Sequence, residues 1–195
     1  MPDQLVTFPL VEVLQHLTGP EQVHRLAMSH LPDLRGASRA IRADLGVLYR
    51  LALPTELGGS PGDLTIRYRT RVPVSGAVLV KAPDALAVGQ RITVRVVAEK
   101  RHEDERGRTI TRFVGDEEAE GWARALLLRH GLGAGDLTVS PRWTFGDARA
   151  HRGPKPTSFT LRDVTATLTA VADTDVYTRG IGRGKAYGYG LPLVL

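Results

Sequence analysis

The stretch DEEAEGWARALLLRHG, residues 116–131, carries the clearest secondary-structure signal in the sequence. Asp116 is placed to cap a helix, acidic residues fill the first turn, and Arg129 and His130 occupy the last turn before Gly131. Acidic groups favour the N-terminus of a helix, basic groups favour its C-terminus, and glycine favours the position just beyond. The stretch therefore predicts a helix in the second half of the chain.

Strands are predicted on both sides of this helix from alternating apolar residues and turn signals. A strand, a turn and a returning strand precede the helix, and a long hairpin, a short helical turn and a closing strand follow it. The predicted segments are Arg91–Glu99, the turn Asp104–Arg108, Thr109–Val114, Leu137–Phe145 with Ser158–Val171, the helical turn Asp173–Thr178, and Gly190–Leu195.

The first half of the chain repeats this plan less clearly. A hydroxyl on Thr18, three residues before Glu21, predicts the start of a helix that ends at Pro32. The apolar stripe of that helix is Val23, Leu26, Ala27, His30 and Leu31. Strands are predicted at Leu5–Val13, Gly46–Leu53, Leu64–Val72 and Gly76–Lys81, and the middle two form a hairpin.

Two βαββ-type units in tandem summarise both halves, with a weak boundary near residues 83–89. This order of elements approximates the split β-α-β arrangement of ferredoxin-like folds. We therefore predict an α+β fold of two tandem ferredoxin-like (RRM-like) βαββαβ domains. One domain covers residues 1–86 and the other covers residues 87–195.

Composition limits the class of protein. The chain has 195 residues, of which 42% are hydrophobic, and this is enough for real cores. The absence of cysteine excludes disulfide scaffolds, thiolate zinc sites, iron–sulfur clusters and cysteine nucleophiles. The first ten residues lack the features of a signal peptide, and no apolar run approaches the roughly 20 residues of a membrane span. We expect a soluble, cytoplasmic protein with no membrane partner.

The basic residues are mostly arginine. The formal net charge is +5, and 22 arginines stand against 4 lysines. Arginine presents a planar fork of donors that can grip phosphate at two points, whereas lysine is a point charge. A phosphate-rich partner is one interpretation, and a composition set by GC-rich codons is the other. The positions of the arginines must decide between them.

The densest motif is GIGRGKAYGYGL at residues 180–191, with five glycines. Glycines let backbone amides approach an anion closely, so Gly182, Arg183, Gly184, Lys185 and Tyr187 are candidate phosphate-binding residues. The motif is not a Walker A loop, because Arg179 and Ala186 stand where a glycine and a Ser or Thr are required. A structural glycine-rich turn before the last strand is the alternative.

Two further sets of basic residues are candidates for nucleic-acid binding. Arg67, Arg69 and Arg71 alternate along one predicted strand and would share one face, which could follow a nucleic-acid backbone or simply face solvent. The long hairpin carries the other set, Arg149, Arg152 and Lys155. A third basic cluster, around Gly107, is diluted by acidic neighbours.

Among the histidines, His24 stands out. It lies beside the buried stripe of the first helix, where its ring could point into a cleft, and its ordinary pKa near ~6.5 suits proton transfer at neutral pH. A surface or packing role is the alternative, and His30 on the same helix is expected to be a packed residue. The sequence has no HExxH or HxxEH motif for a metal.

The chain resembles the CRISPR repeat-processing endoribonucleases of type I-E systems, the CasE family. The tail residues Gly180-Ile181-Gly182-Arg183, Lys185-Ala186-Tyr187-Gly188 and Gly190-Leu191 look like the closing motif of that family, GIGxxKAxGxGL. Length, the tandem ferredoxin-like plan, the helix with Trp122 and the early helix with His24 also match.

The resemblance implies a metal-independent ribonuclease with no cofactor, which cuts precursor CRISPR RNA at the 3′ base of the repeat hairpin. The 2′-hydroxyl would attack, giving a cyclic phosphate and a 5′-hydroxyl. It also implies that the enzyme stays on the hairpin as a subunit of Cascade, beside the backbone subunit nearest the 3′ end of the RNA. His24 matches the catalytic histidine of the family, and Arg25 follows it as often happens there.

The catalytic site differs from the family pattern at one position. The family often has a tyrosine three residues before the histidine, where this chain has Glu21. We assign His24 to proton transfer and Arg25 or Lys185 to charge stabilisation. Tyr187, Tyr49, Ser29 and Ser38 remain open as the second group. A weakly catalytic RNA-binding subunit and a ferredoxin-like enzyme of small molecules are the competing functions.

Overall fold

The structure is a computed structural model that describes residues 2–32, 44–52, 61–146 and 158–195. The strands are β1 (Asp3–Pro9), β2 (Leu48–Ala52), β3 (Asp63–Tyr68), β4 (Val78–Val80), β5 (Arg91–Val97), β6 (Glu99–Glu103), β7 (Thr109–Phe113), β8 (Leu132–Val139), β9 (Trp143–Phe145), β10 (Phe159–Val171) and β11 (Pro192–Val194). The α-helices are α1 (Leu10–Val13), α2 (Pro20–Ser29), α3 (Ala119–Arg129) and α4 (Val176–Arg179), and 3₁₀ turns cover Leu14–His16 and Lys185–Tyr187.

The strands form two sheets with the same topology. The first has the order β2-β3-β1-β4 and the second has the order β11-β5-β10-β8, with antiparallel neighbours throughout. In the first sheet, α2 lies between β1 and β2 in the chain, and β3 lies between these two strands in the sheet. In the second sheet, α3 lies between β5 and β8 in the chain, and β10 lies between these two strands in the sheet. Both halves therefore contain the predicted split β-α-β unit. The assignment of the domain boundary to residue 86 stays a prediction.

A separate two-stranded ribbon, β6 with β7, is inserted between β5 and α3. Its turn holds Asp104, whose carboxylate accepts the backbone amides of Arg106 and Arg108. The predicted returning strand is therefore confirmed, but it pairs in a ribbon of its own rather than in the main sheet. Strand β9 pairs with β10, as the predicted long hairpin requires.

Each sheet has its own apolar core. Leu64, Ile66 and Tyr68 of β3 are fully buried against the stripe of α2, which includes Val23 and Ala27. The core of the second sheet is formed by strand residues that pack against α3, including Val94, Val164, Ala123 and Leu127. His30 packs against the ring of Phe8 at 5.3 Å and its Nδ1 donates to the carbonyl of Ser75, which confirms its packing role.

Both predicted helix caps are wrong. Helix α2 has Gly19 as its N-cap and begins with Pro20, and no side chain caps it, so Thr18 does not take that role. Helix α3 begins at Ala119 rather than after Asp116. Asp116 instead accepts a hydrogen bond from the buried Arg162, and the Glu118 carboxylate accepts the Gly115 amide at 2.9 Å. A buried guanidinium needs an acceptor, and this requirement outweighs local capping.

The first predicted strand also differs, because the chain leaves β1 at Pro9 and continues directly into α1. Proline cannot donate to a strand ladder and favours the first turn of a helix. Within the described residues, no helix is long and apolar enough to cross a membrane.

Candidate active site

The glycine-rich tail, residues 180–191, is hydrogen-bonded to both sheets. The carbonyl of Gly188 accepts the amide of Tyr49 on β2 at 2.7 Å, and the amide of Gly190 donates to the carbonyl of Arg95 on β5 at 3.0 Å. The amide of Ile181 closes the tail on itself by donating to Gly190 at 2.9 Å. The tail thus joins the two sheets at the place where they meet.

Glycine is required in the tail because the backbone has left-handed conformations in direct contact with side chains. Gly188 has φ +84°, and a Cβ there would lie 1.9 Å from Cδ1 of Tyr49. Gly184 has φ +76°, and a Cβ there would lie 2.7 Å from Cγ2 of Val97. The interpretation as a structural turn is therefore correct for Gly188, which is buried.

The segment Gly182–Lys185, which we call the tail loop, is less buried than the rest of the tail. Arg183 on this loop is 36% exposed, and its guanidinium donates to the carbonyl of Glu99 at 3.2 Å. Burial and the neighbouring Arg101 lower the pKa of Arg183, whereas the Glu99 carboxylate raises it. The tail loop therefore presents a partly exposed guanidinium next to the β6–β7 ribbon.

Lys185 is the second cation of the tail loop. Burial lowers the pKa of its ammonium group, the positive charge of Arg179 lowers it further, and Asp173 acts in the opposite direction. A partly desolvated cation interacts strongly with an anion that reaches it, because little water screens the charge. Lys185 is therefore suited to stabilising developing negative charge.

Helix α2 contacts the 3₁₀ turn Lys185–Tyr187. His24 lies on this helix and is half-buried, and the next residue, Arg25, is exposed. Tyr187 at the end of the turn packs with the ring of Phe159 at 5.1 Å. The fold thus brings the helix of His24 to the turn that carries Lys185, although the two segments lie at opposite ends of the sequence.

The candidates for the second catalytic group differ in position. Tyr49 is 3% exposed in the core between the sheets, with its ring 5.3 Å from that of Tyr189. The Ser29 hydroxyl donates to the carbonyl of Leu26 at the end of α2, and Ser38 lies outside the described residues. Tyr187 is the candidate that lies on the turn in contact with α2.

The predicted arginine face of the third strand is wrong for Arg67 and Arg69, which are 1% and 4% exposed. Arg67 donates to the carbonyls of Tyr177 and Thr178 at 2.8 and 2.9 Å, and both guanidinium groups lie 5.0 Å from the ring of Tyr177. They cannot follow a phosphate backbone because the face that carries them packs against the second half of the chain. Arg71 lies beyond the end of β3 and is exposed.

The remaining basic residues considered for nucleic-acid binding either lie outside the described residues or include arginines paired with acids. Arg149, Arg152 and Lys155 lie outside the described residues. In the cluster around Gly107, Arg108 is paired with Asp104 and Arg112 is paired with Glu118. Acidic partners therefore neutralise part of that cluster, as the sequence indicates.

Two structural features of this region could not be predicted from the sequence. Asp163 on β10 binds arginines from both sheets, Arg50 at 2.8 Å and Arg95 at 2.6 Å, and so fixes the junction beneath the tail. His130 accepts the amide of Gly182 on the tail loop. Only its position in the last turn of a helix marks His130 in the sequence, and nothing in the sequence marks Asp163.

Among the described residues, no three histidine or carboxylate side chains gather in a way that could hold a metal ion.

Comparisons with known proteins give the family and the fold. A family model described as "CRISPR associated protein" matches residues 9–195. A CRISPR endoribonuclease Cse3 bound to 19 nt RNA is 21% identical, with a TM-score of 0.66 and coverage of 100% of this chain and 98% of that chain. Cse3 of Thermus thermophilus, bound to an RNA representing a pre-cleavage complex, is 20% identical, with a TM-score of 0.67 and full coverage of both chains.

Cas6e of Escherichia coli K-12 is 17% identical, with a TM-score of 0.59 and coverage of 100% of this chain and 98% of that chain. No curated protein matches the chain by sequence. The structural likenesses, which extend over the whole chain, confirm the predicted α+β fold of two tandem ferredoxin-like units.

Proposed function

The chain belongs to the CRISPR-associated protein family, and from this premise we propose that it is an endoribonuclease that processes precursor CRISPR RNA. It cleaves at the 3′ base of the repeat hairpin without a metal ion or cofactor and remains bound to the product. The structures it resembles include Cse3 bound to RNA and a CRISPR RNA-guided surveillance complex. In such a complex its partners are the CRISPR RNA and the other Cascade subunits, and it acts in the cytoplasm.

One observation carries this proposal: helix α2, with His24, contacts the turn that holds Lys185 and Tyr187. A histidine and a partly desolvated lysine on contacting elements supply a proton-transfer group and a cation. Cleavage of RNA by its own 2′-hydroxyl requires these two functions.

The reaction balances without water. The 2′-oxygen bonds to the adjacent phosphorus and gives up its proton to a base, while the bond from phosphorus to the 5′-oxygen breaks and that oxygen takes up a proton. The products are a 2′,3′-cyclic phosphate and a 5′-hydroxyl. His24 transfers protons, and Lys185 with Arg25 stabilises the charge on the phosphorane. Tyr187 is our preferred second group, because it lies on the turn that contacts α2.

The RNA-binding surface follows the tail loop. Arg183 and the half-buried backbone of Gly182 and Gly184 face the phosphates, next to Glu99 at the start of β6. Arg71 is retained in this proposal as an exposed cation, whereas Arg67 and Arg69 are not. Arg149, Arg152 and Lys155 remain predicted contacts in the long hairpin.

The test is a single-turnover assay of a labelled repeat hairpin in EDTA. His24→Ala should lower the rate by at least about 100-fold, the range of general acid–base catalysis, while the Kd for RNA changes little. His16→Ala is the matched control, because His16 lies just before α2 and its ring contacts Gln15. The product should carry a cyclic phosphate. A His24→Ala variant as fast as the wild type would overturn the catalytic assignment.

A second candidate function is a hairpin-binding subunit with little catalysis. It is favoured by Glu21, which stands where the family often has tyrosine. Tight binding of the hairpin without product in the same single-turnover assay would support this function. Glu21→Tyr would then be expected to raise the cleavage rate, whereas an unchanged rate would count against a role for this position.

A further inference from the structure

His130 lies where the end of α3 meets the tail loop and the segment at Ala172 and Asp173. It is the residue after the last turn of α3, and its own amide donates to the carbonyl of Leu127 at 2.9 Å. The next residue, Gly131, has φ +70°, and a Cβ there would lie 2.9 Å from the amide nitrogen of Asp173. The carbonyl of Gly131 accepts the amide of Ala172 at 2.7 Å. The backbone around His130 is therefore held in place independently of the imidazole ring.

The imidazole ring of His130 makes one defined contact with the tail loop. Its Nε2 accepts the backbone amide of Gly182 at 3.0 Å. An amide can only donate, so Nε2 must carry its lone pair and the proton must reside on Nδ1. A protonated ring would place an N–H against the amide N–H of Gly182. The contact therefore exists only while the imidazole is neutral.

Burial and most of the charges around the ring also favour its neutral form. Burial lowers the pKa of His130, as do the positive charges of Lys185, Arg129 and Arg179, and Asp173 alone raises it. Arg179 and Asp173 are paired with each other, which reduces the effect of that carboxylate on the ring. Protonation would thus add a cation to a site where three already lie.

We propose that His130 is a positioning residue whose neutral imidazole holds the tail loop, and that protonation of His130 releases the loop and displaces Lys185 from its catalytic position. This inference rests on the proposed function only for its effect on cleavage. The release of the loop itself is a property of the free protein. A loop that is held at neutral pH and released in acid makes cleavage depend on the protonation state of His130.

The first measurement follows the Gly182 amide by NMR in RNA-free protein between pH 8 and pH 5. In the wild type, its chemical shift and its exchange with solvent should titrate with a midpoint below ~6.5, the ordinary histidine pKa. In His130→Gln the side-chain oxygen can accept the amide at every pH, so the titration should disappear. His16→Gln is the matched control and should keep it. A Gly182 amide that does not titrate in the wild type would overturn the proposal.

The second measurement is the single-turnover cleavage rate of both proteins over the same pH range. The ratio of the His130→Gln rate to the wild-type rate cancels any pH dependence that the two proteins share. It should rise as the pH falls, by up to about tenfold for each pH unit below the pKa of His130, because the neutral fraction falls by that factor. A ratio that stays constant from pH 8 to pH 5 would overturn the proposal.

The two measurements separate this inference from the proposed function. If neither protein cleaves RNA but the Gly182 amide titrates only when His130 is present, the proposed function fails and the positioning role stands. If both proteins cleave and the amide is insensitive to pH, the positioning role fails and the proposed function stands. Matching thermal unfolding midpoints at pH 8 for the two proteins establish that His130→Gln is folded.

Discussion

Strand β3 and the tail loop both carry cations that resemble phosphate ligands in the sequence, but their surroundings are opposite. The guanidinium groups of Arg67 and Arg69 are buried and end on carbonyl oxygens and an aromatic ring of the protein. Arg183 and Lys185 are half-buried at the junction of the two sheets, next to the helix of His24. The first pair therefore holds the fold together, whereas the second pair is partly accessible from outside the protein.

Arg67 is buried because its guanidinium donates to carbonyl groups at the end of a helix. The carbonyls of Tyr177 and Thr178 belong to the last turn of α4, where helix carbonyls have no partner within the helix. The two terminal nitrogens of Arg67 supply the donors, and the positive charge suits the C-terminal end of a helix. A planar fork that can grip phosphate can equally grip two adjacent carbonyls.

The largest effect is expected from Arg67→Met. It removes both hydrogen bonds to α4 and leaves two buried carbonyls without donors, so the free energy of unfolding should fall by about 4 kcal/mol. Urea unfolding measures this loss. Arg71→Met, at an exposed position, is the control and should change the free energy by less than about 0.5 kcal/mol. Equal losses in the two variants would contradict the contrast between buried and exposed arginines.

The next effect is expected at Gly188, where the tail contacts the first sheet. Gly188→Ala places a methyl group 1.9 Å from Cδ1 of Tyr49 and should cost about 3 kcal/mol, because overpacking adds to the strain of a left-handed backbone. Gly107→Ala is the matched control: its φ is +70° and a Cβ there has no neighbour within 4 Å. The control should lose only about 1 kcal/mol, the cost of the backbone conformation. Thermal unfolding of the two variants separates the clash from the strain.

A smaller effect on folding, but a distinct one on binding, is expected from Arg183→Ala in the tail loop. The affinity for the repeat hairpin should fall. The slope of log Kd against log salt concentration should decrease by about one, which is the contribution of one phosphate contact. Lys81→Ala, an exposed cation beyond β4, should leave this slope unchanged. If Arg183→Ala binds RNA with the wild-type salt dependence, the tail loop is not a phosphate site.

The smallest effect is expected at acidic pH, from the ion pair between Asp116 and the buried Arg162. Its hydrogen bond is the main reason that the pKa of Asp116 lies below its usual value. Since the pKa of Asp116 is depressed in the folded protein, the ion pair stabilises fully above the ordinary pKa near 3.8 and is lost as the pH falls through the lower folded value. The urea midpoint of Asp116→Asn should therefore depend less on pH between pH 5 and pH 2 than that of the wild type. Identical pH profiles would mean that Asp116 contributes nothing to this dependence.

Much of the fold could be predicted because its signals are local. The hairpin β2–β3, the turn at Asp104 with strand β7, the helix of His24 and the termination of α3 before Gly131 all follow from alternation, helical spacing and turn residues. The helix starts were wrong at Thr18 and Asp116, where the preference for a capping side chain competes with other contacts. Arg162 recruits Asp116 from another part of the chain, and no local rule contains that contact.

The tandem α+β plan, the family and the tail motif could be predicted from the sequence, because apolar spacing, glycine spacing and turn chemistry depend on neighbouring residues. The packing of the fold decided which cations are accessible, since the burial of Arg67 depends on the carbonyls of α4, more than a hundred residues away along the chain. It also decided that Asp163 joins the two sheets and that His130 accepts the amide of Gly182. Burial and hydrogen-bond partners are properties of the packed sheets, and the spacing of residues in one segment does not contain them.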